Sequence, residues 1–292
     1  MPDEGALRTI AVATDFSHNA MPAFAWALEL AQRHHSELVL VHALLPESAP
    51  APDFAPMPEH YYRSVRDEAR AKLEALMAEV RPAGLSISLE LVVGSTAAGV
   101  VAAAERRSAD VIVVGTRGRS GWRRLVVGST AAQLVRDAPL PVLSVHPGHR
   151  GRGEVTRTVL VPTDFSAGAA RATEGALRML PPAQAARLVL LHAHRPDERS
   201  ARDAAAAARA ARDDLQARAH ACARPNVVVD AEIAPGAPAP TIAERAARIG
   251  ADLVAMATRG RPSLERLWIG STAERVIAAA PCPVLTVRAP RH

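Results

Sequence analysis

The sequence predicts a tandem α/β protein, each half a parallel sheet alternating with helices. Three observations carry that prediction. Short apolar runs rich in β-branched residues alternate with longer helical patterns, as buried parallel strands alternate with their crossover helices. The series occurs twice: Thr14-Asp15-Phe16-Ser17 returns as Thr163-Asp164-Phe165-Ser166, and Pro141-Val142-Leu143-Ser144-Val145 returns as Pro283-Val284-Leu285-Thr286-Val287. At 292 residues the chain has room for two domains with a core each.

The elements follow in order. Residues 8–15 are a short apolar strand that ends in Thr-Asp-Phe-Ser, and 157–164 are its copy. Ser17 and Ser166 are candidate N-caps for helices over 19–34 and 167–180, because a hydroxyl there accepts a first-turn N–H. Second strands are expected at 37–43 and 187–193, third strands at 86–94 and 226–235. Fourth strands fall at 110–115 and 252–257, fifth strands at 141–146 and 283–288. Helical patterns fill the gaps, including 59–80 and the Ala-rich 200–221.

The repeat keeps a register. Asp15 and Asp164 are 149 apart and Ala43 and Ala193 are 150 apart, but Gly94 and Gly236, like Gly118 and Gly260, are 142 apart. The surplus in the first half falls on the Pro-rich 45–58, which reads as a flap near the carboxyl ends of the strands. The expected domains are 1–147 and 155–292. The stretch 148–154, with Gly and charge and no periodicity, is the expected linker.

Composition narrows the function classes. Apolar residues make up 49%, yet no run reaches the roughly 18 needed to span a bilayer. The first ten residues include acids and lack the apolar stretch of a signal peptide. Cys222 and Cys282 have no metal-ligand spacing, and a reduced, cytoplasmic protein is the simplest reading. The net charge is +5 and Lys72 is the only lysine, but the arginines are interspersed with acids. Aromatics are 3%, too few for a stacking platform, so a nucleic-acid partner is disfavoured.

The most informative stretch is 110–135. A buried-type strand stops at Gly115; a loop rich in Gly and Arg follows; a helix begins near Gly128-Ser129-Thr130. Strand, glycine loop and helix N-terminus together favour an anion, since Gly permits close backbone approach and the first-turn N–H groups attract negative charge. No Gly-Lys-Ser/Thr is present, and Gly115 and Gly118 do not fit a dinucleotide fingerprint. The pattern is Gly115-x-x-Gly118, nine residues, then Gly128-Ser129.

With Thr-Asp-Phe-Ser, Val41-His42-Ala43, this glycine spacing and Pro-Val-Leu-Ser-Val in that order, the chain resembles a tandem member of the universal stress protein family. The resemblance implies two Rossmann-like five-stranded parallel sheets, strand order 3-2-1-4-5, with helices on both faces. A ligand site then lies where the strand order reverses, between strands one and four. By resemblance the ligand is ATP, with Mg2+ as a candidate companion. Asp15 is placed near the adenosine and Ala43 in the adenine pocket. Gly115, Gly118, Gly128, Ser129 and Thr130 are placed at the phosphates, with Arg117 as added charge. The matching positions in the second half are Asp164, Ala193, Gly260, Gly270, Ser271 and Thr272. The family also implies that terminal strands pair between domains, and a homodimer is a further candidate assembly.

Ala257 stands where the first half has Gly115. If that glycine makes room for the ligand or adopts a positive φ, the second site is expected to bind ATP more weakly, by about tenfold or more. His42 and His192 are expected to pack and not to bind metal, and Cys282 to fill apolar space. Asp15 and Asp164 have an alternative role as strand-end caps for the next helix. With no Walker lysine and no evident water-activating base, turnover is expected to be slow or absent, which suits a regulator. The alternative from another class is an interaction scaffold of the same fold that binds no nucleotide. A PP-loop adenylating enzyme would need Ser-Gly-Gly-x-Asp-Ser after strand one, which Thr14-Asp15-Phe16-Ser17 is not.

Overall fold

The computed structural model describes residues 6–44, 59–80, 84–117, 127–149, 156–180, 184–194, 201–258 and 269–288. The Pro-rich stretch 45–58, most of the linker, Gly118 and Gly260 lie outside them. The first half runs β1 (Thr9–Ala13), α1 (Met21–His34), β2 (Glu37–Leu44), α2 (Glu59–Val80), β3 (Ile87–Val93), α3 (Thr96–Arg106), β4 (Val111–Gly115), α4 (Ser129–Asp137), β5 (Val142–Val145). The second runs β6 (Thr158–Pro162), α5 (Ala167–Met179), β7 (Ala186–His194), α6 (Ala201–Ala221), β8 (Val227–Pro235), α7 (Pro238–Arg248), β9 (Leu253–Ala257), α8 (Ser271–Ala279), β10 (Val284–Val287).

Each half has the expected strand order, and every pair within a half is parallel. The two sets are not separate sheets. They join through an antiparallel pair in which Leu143 faces Leu285, giving one ten-stranded sheet in the order β3-β2-β1-β4-β5-β10-β9-β6-β7-β8. The reason is the exposed edge each fifth strand would otherwise present: pairing satisfies both at once. All four residues of β5 and of β10 are buried, while the outermost strands β3 and β8 carry the exposed Val93 and Val228.

The central strands are buried on both faces, which is why they read as unbroken apolar runs. Alternating residues feed two cores. Ala11, Val39, Ile112 and Val254 face α3, α4, α7 and α8; Ile10, Leu38, Val111 and Leu188 face α1, α2, α5 and α6. Both cores run through the seam between halves. Ion pairing crosses it as well: Arg178 of α5 donates to the Asp110 carboxylate at 2.5 Å, which also accepts the Arg8 and Thr9 N–H groups. Burial would raise the Asp110 pKa, but those hydrogen bonds hold it below the usual carboxylate value.

One cap departs from expectation. Ser166 caps α5, accepting the Ala169 N–H at 3.2 Å. Ser17 does not cap α1, which starts only at Met21 with Ala20 in the cap position. Pro22 explains the shift: its fixed φ suits the first turn of a helix, and residues 18–20 form a turn before it. A second sequence feature shortens a ladder. β1 pairs β4 at four positions, up to Ala13 with Val114, whereas β6 pairs β9 at two. Pro162 stands where β1 has Ala13. The Thr163 N–H points to Leu191 on β7, so the preceding position would donate towards β9, and proline has nothing to donate.

Candidate functional site

The site begins with the turn that follows β1. The Thr14 N–H donates to Val41 at 3.0 Å, which ties the strand end to β2. The Thr14 carbonyl accepts from His42 Nδ1 at 2.7 Å, so that nitrogen carries the proton. The Thr14 hydroxyl accepts the Phe16 N–H at 3.1 Å, and the Asp15 carboxylate accepts the Ser17 N–H at 2.9 Å. Phe16 sits at φ 60, a left-handed conformation that costs an L-residue roughly 1–2 kcal/mol. The hydroxyl, the carboxylate and the ring contact with His42, centroids 4.4 Å apart, hold it there.

The turn after β6 repeats this geometry. Phe165 has φ 66, its N–H goes to Thr163 Oγ1 at 3.1 Å, and its ring lies 4.6 Å from that of His192. His192 Nδ1 donates to the Thr163 carbonyl at 2.8 Å, and Asp164 accepts the Ser166 N–H at 3.0 Å and its hydroxyl at 2.5 Å. The two histidines thus brace strand ends, as the packing reading expects. Among the described residues no cluster of three or more His, Cys, Asp or Glu is placed to hold a metal ion. Asp15 and Asp164 close Asx-type turns and do not cap the next helices, whose cap positions are held by Ala20 and Ser166.

The opposite wall is the end of β4. The Thr116 N–H donates to Val145 at 2.9 Å, and the Thr116 carbonyl accepts the Gly128 N–H at 2.7 Å. The chain therefore returns from the glycine loop to the strand end just before α4 starts. A Cβ at Gly128 would lie 3.1 Å from that carbonyl, which is the physical need for glycine there. Gly270 donates to Thr258 at 3.0 Å in the same way before α8. Gly128 and Gly270 are the N-caps of these helices and bring no side-chain acceptor, unlike Ser166 at α5. The cap residues of α4 and α8 thus leave the first-turn N–H groups to other acceptors, the arrangement that suits an anion.

The predicted residues converge accordingly. Asp15, Ala43 and Gly115 lie at the carboxyl ends of the neighbouring strands β1, β2 and β4, and Gly128, Ser129 and Thr130 open α4. Asp164, Ala193 and Ala257 lie at the ends of β6, β7 and β9, and Gly270, Ser271 and Thr272 open α8. Arg117 follows β4 close to His146, and burial together with this guanidinium lowers the His146 pKa. Gly115 has no positive φ. An added Cβ would lie 3.3 Å from the Asn19 carbonyl and 3.4 Å from that of Arg117, so the chain itself takes up the room.

Sequence reasoning missed three contributors. The Thr14 and Thr163 hydroxyls and the left-handed phenylalanines were signalled only by the identical tetrapeptide. Arg218 of α6 donates to the Phe165 carbonyl at 2.9 Å and lies over its ring at 5.5 Å; the equivalent position in α2 is Leu76, 142 residues earlier. Cys282, by contrast, matches expectation: it is buried, and burial pushes its thiol up to about 12.

The sequence model of the universal stress protein family matches residues 6–146 and again 156–288. The chain belongs to the universal stress protein family, as a tandem member. A universal stress protein of Mycobacterium tuberculosis is 28% identical over 294 residues, covering 96% of each chain. One from Thermus aquaticus is 36% identical over 141 residues, 47% of this chain and 98% of its own length. Among solved structures, a universal stress protein from Archaeoglobus fulgidus superposes with a TM-score of 0.69 over 96% of both chains at 22% identity, which supports the fold.

Proposed function

We propose that the chain is a nucleotide-binding regulator of the stress response, holding ATP, with or without Mg2+, at the carboxyl ends of β1 and β4. The matching site at β6 and β9 is its second copy. The observation that carries the reading is the return of the chain at Gly128. It sets the glycine-capped N-terminus of α4 against the end of β4, one strand from the Asp15 turn. Phosphates would meet the first-turn N–H groups and the Ser129 and Thr130 hydroxyls, with Arg117 adding charge and Gly118 completing the loop. The adenosine would lie towards Asp15 and Ala43. In the second half Gly260, Gly270, Ser271 and Thr272 take the phosphates and Asp164 and Ala193 the adenosine.

Mg2+, when bound with ATP, would offset phosphate charge. Ser129 and Thr130 offer the hydroxyl oxygens that suit such a hard cation. Neither glycine loop contains a lysine for the phosphates, so binding with little or no turnover is the expected behaviour. The functional units are 1–147 and 155–292, with 148–154 between them, and a cytoplasmic location fits two unpaired cysteines. No helix among the described residues is long and apolar enough to cross a membrane.

The test is to denature the purified chain and identify released nucleotide by chromatography, with ATP titration calorimetry on the nucleotide-free protein. Co-purified or titratable adenine nucleotide is expected. Absence of both would favour the scaffold reading.

A further inference from the structure

The helices that open on the two proposed phosphate ends are held at their other ends by the opposite half. α4 is nine residues long and ends at Asp137. The Asp137 backbone carbonyl accepts a 2.9 Å hydrogen bond from Nη1 of Arg288, which follows β10 in the second half. α8 is also nine residues long, with Ala280 as its C-cap. The Ala280 carbonyl accepts from His149 Nε2 at 3.2 Å, and His149 follows β5 in the first half. The antiparallel pairing centred on Leu143 and Leu285 makes this reciprocal. Each terminal strand runs past the seam and exits at the C-terminal end of the partner half's helix.

The two anchors differ in chemistry. Arg288 brings a permanent cation to the negative end of a helix dipole, where such a charge is favourable. It also neighbours the Asp137 carboxylate, whose pKa is lowered chiefly by its hydrogen bonds from Arg136 and in part by Arg288. His149 Nδ1 accepts the His146 N–H at 3.2 Å, so Nε2 carries the proton that is donated to Ala280. Burial, together with His146, takes the His149 pKa down to about 4, so near neutral pH this anchor is an uncharged donor.

We propose that Arg288 is a positioning residue for the first half's site: a second-half side chain that fixes the C-terminus of α4 and thereby sets how Gly128, Ser129 and Thr130 present their N–H groups. His149 does the same for α8 with a weaker, neutral bond. A nine-residue helix spans only about 13 Å, so a shift at one end is carried to the other. Each site's helix is in this way anchored by the opposite half, and the first is held more firmly than the second. The inference rests on the nucleotide reading for its functional half, while the anchoring stands on the contacts themselves.

The experiment uses the full chain with ATP as the probe and follows amide hydrogen exchange by peptide. Arg288→Ala is the test variant; its hydrogen bond is solvent-exposed, so the variant should fold. Exchange near Leu134 to Asp137 is expected to rise several-fold while α8 keeps its rate. The ATP concentration that half-protects the start of α4 should rise about three- to tenfold, with the second half unchanged. Arg288→Lys should recover most of the loss, since it keeps a cation and a donor. His149→Ala should loosen α8 instead, by a smaller factor. Unchanged exchange and ATP requirement of α4 in Arg288→Ala, or equal loosening of α4 and α8, would overturn the proposal. If ATP protects neither half of the parent chain, the nucleotide reading falls on its own. The anchor is then decided by whether faster exchange is confined to α4.

Discussion

The turns after β1 and β6 share one tetrapeptide, one left-handed phenylalanine and one histidine brace, yet their surroundings differ at four positions. The first turn leads through residues 18–20 to a helix that begins at Met21; the second passes directly into α5 under the Ser166 cap. Ala13 and Gly115 end β1 and β4, Pro162 and Ala257 end β6 and β9. Leu76 packs in the core that borders Phe16, while Arg218 ties down Phe165 by hydrogen bond and ring contact. The lesson is that four residues suffice to write the turn, whereas the helix start, the strand ladder and the packing around it are written elsewhere in the chain.

The largest expected effect of exchanging these positions is at β1, where it pairs with β4. Ala13→Pro gives β1 the residue that β6 carries. Ala13 is buried and paired with Val114, so the change removes a ladder donor and leaves a β4 carbonyl without its partner. A buried unmet polar group costs roughly 1–3 kcal/mol, and a loss of about 2 kcal/mol is expected in chemical unfolding. The reciprocal Pro162→Ala should create a slowly exchanging amide at that position as the β6–β9 ladder lengthens. A loss under about 0.5 kcal/mol in Ala13→Pro, well below the unmet-group cost, would mean that proline is not what shortens the second ladder.

Much of this architecture was legible in advance, for reasons that also mark the limits. The strands declared themselves because both faces are buried, and the repeat gave their number and pairing order by resemblance. The strand-end position of the site followed from the same order. Ser17 misled because a hydroxyl after a strand is a cap signal only if the helix starts there, and Pro22 sets the start later. Pro162 was visible, but its consequence depends on which neighbour its position faces, a matter of register. Arg218 lies 53 residues from Phe165, and only the packing of α6 over the turn brings them together. The pairing of the fifth strands, by contrast, was implied by the family resemblance, and the seam adds that it joins both halves into one sheet.

A smaller effect is expected at the clamp. Arg218→Leu installs the first half's residue and removes a charge-assisted hydrogen bond and a cation–π contact that is partly exposed to solvent. Solvent screening leaves about 1 kcal/mol of the combined interaction. The local signature matters more than the total: the Ser166 amide, which Asp164 accepts, should exchange faster, while the Ser17 amide keeps its rate. If both amides respond alike, or neither does, the second turn is not held by Arg218.

The smallest effect is expected at Gly115 and Ala257, where the sequence suggested a difference in ATP affinity of about tenfold or more. One of the two grounds for that difference is gone, because Gly115 has no positive φ to defend. The other is changed in kind. A methyl group at Gly115 would press on the Asn19 carbonyl at 3.3 Å, with the Ala20 Cα at 3.6 Å. Those atoms belong to the turn that precedes α1. In the second half the positions matching Asn19 and Ala20 are Gly168 and Ala169, already inside α5, so Ala257 meets different neighbours. The late start of α1 thus accounts for the glycine without calling on the ligand. Gly115→Ala should cost less than about 1 kcal/mol, since a contact of this kind yields to a shift of a few tenths of an ångström, and any fall in first-site affinity should stay below tenfold. Ala257→Gly should cost about 0.5–1 kcal/mol through added chain freedom and leave the second site no tighter. Calorimetric titration of both variants decides the matter. A tenfold gain in second-site affinity on removing the Ala257 methyl group would show that it stands in the ligand's path after all.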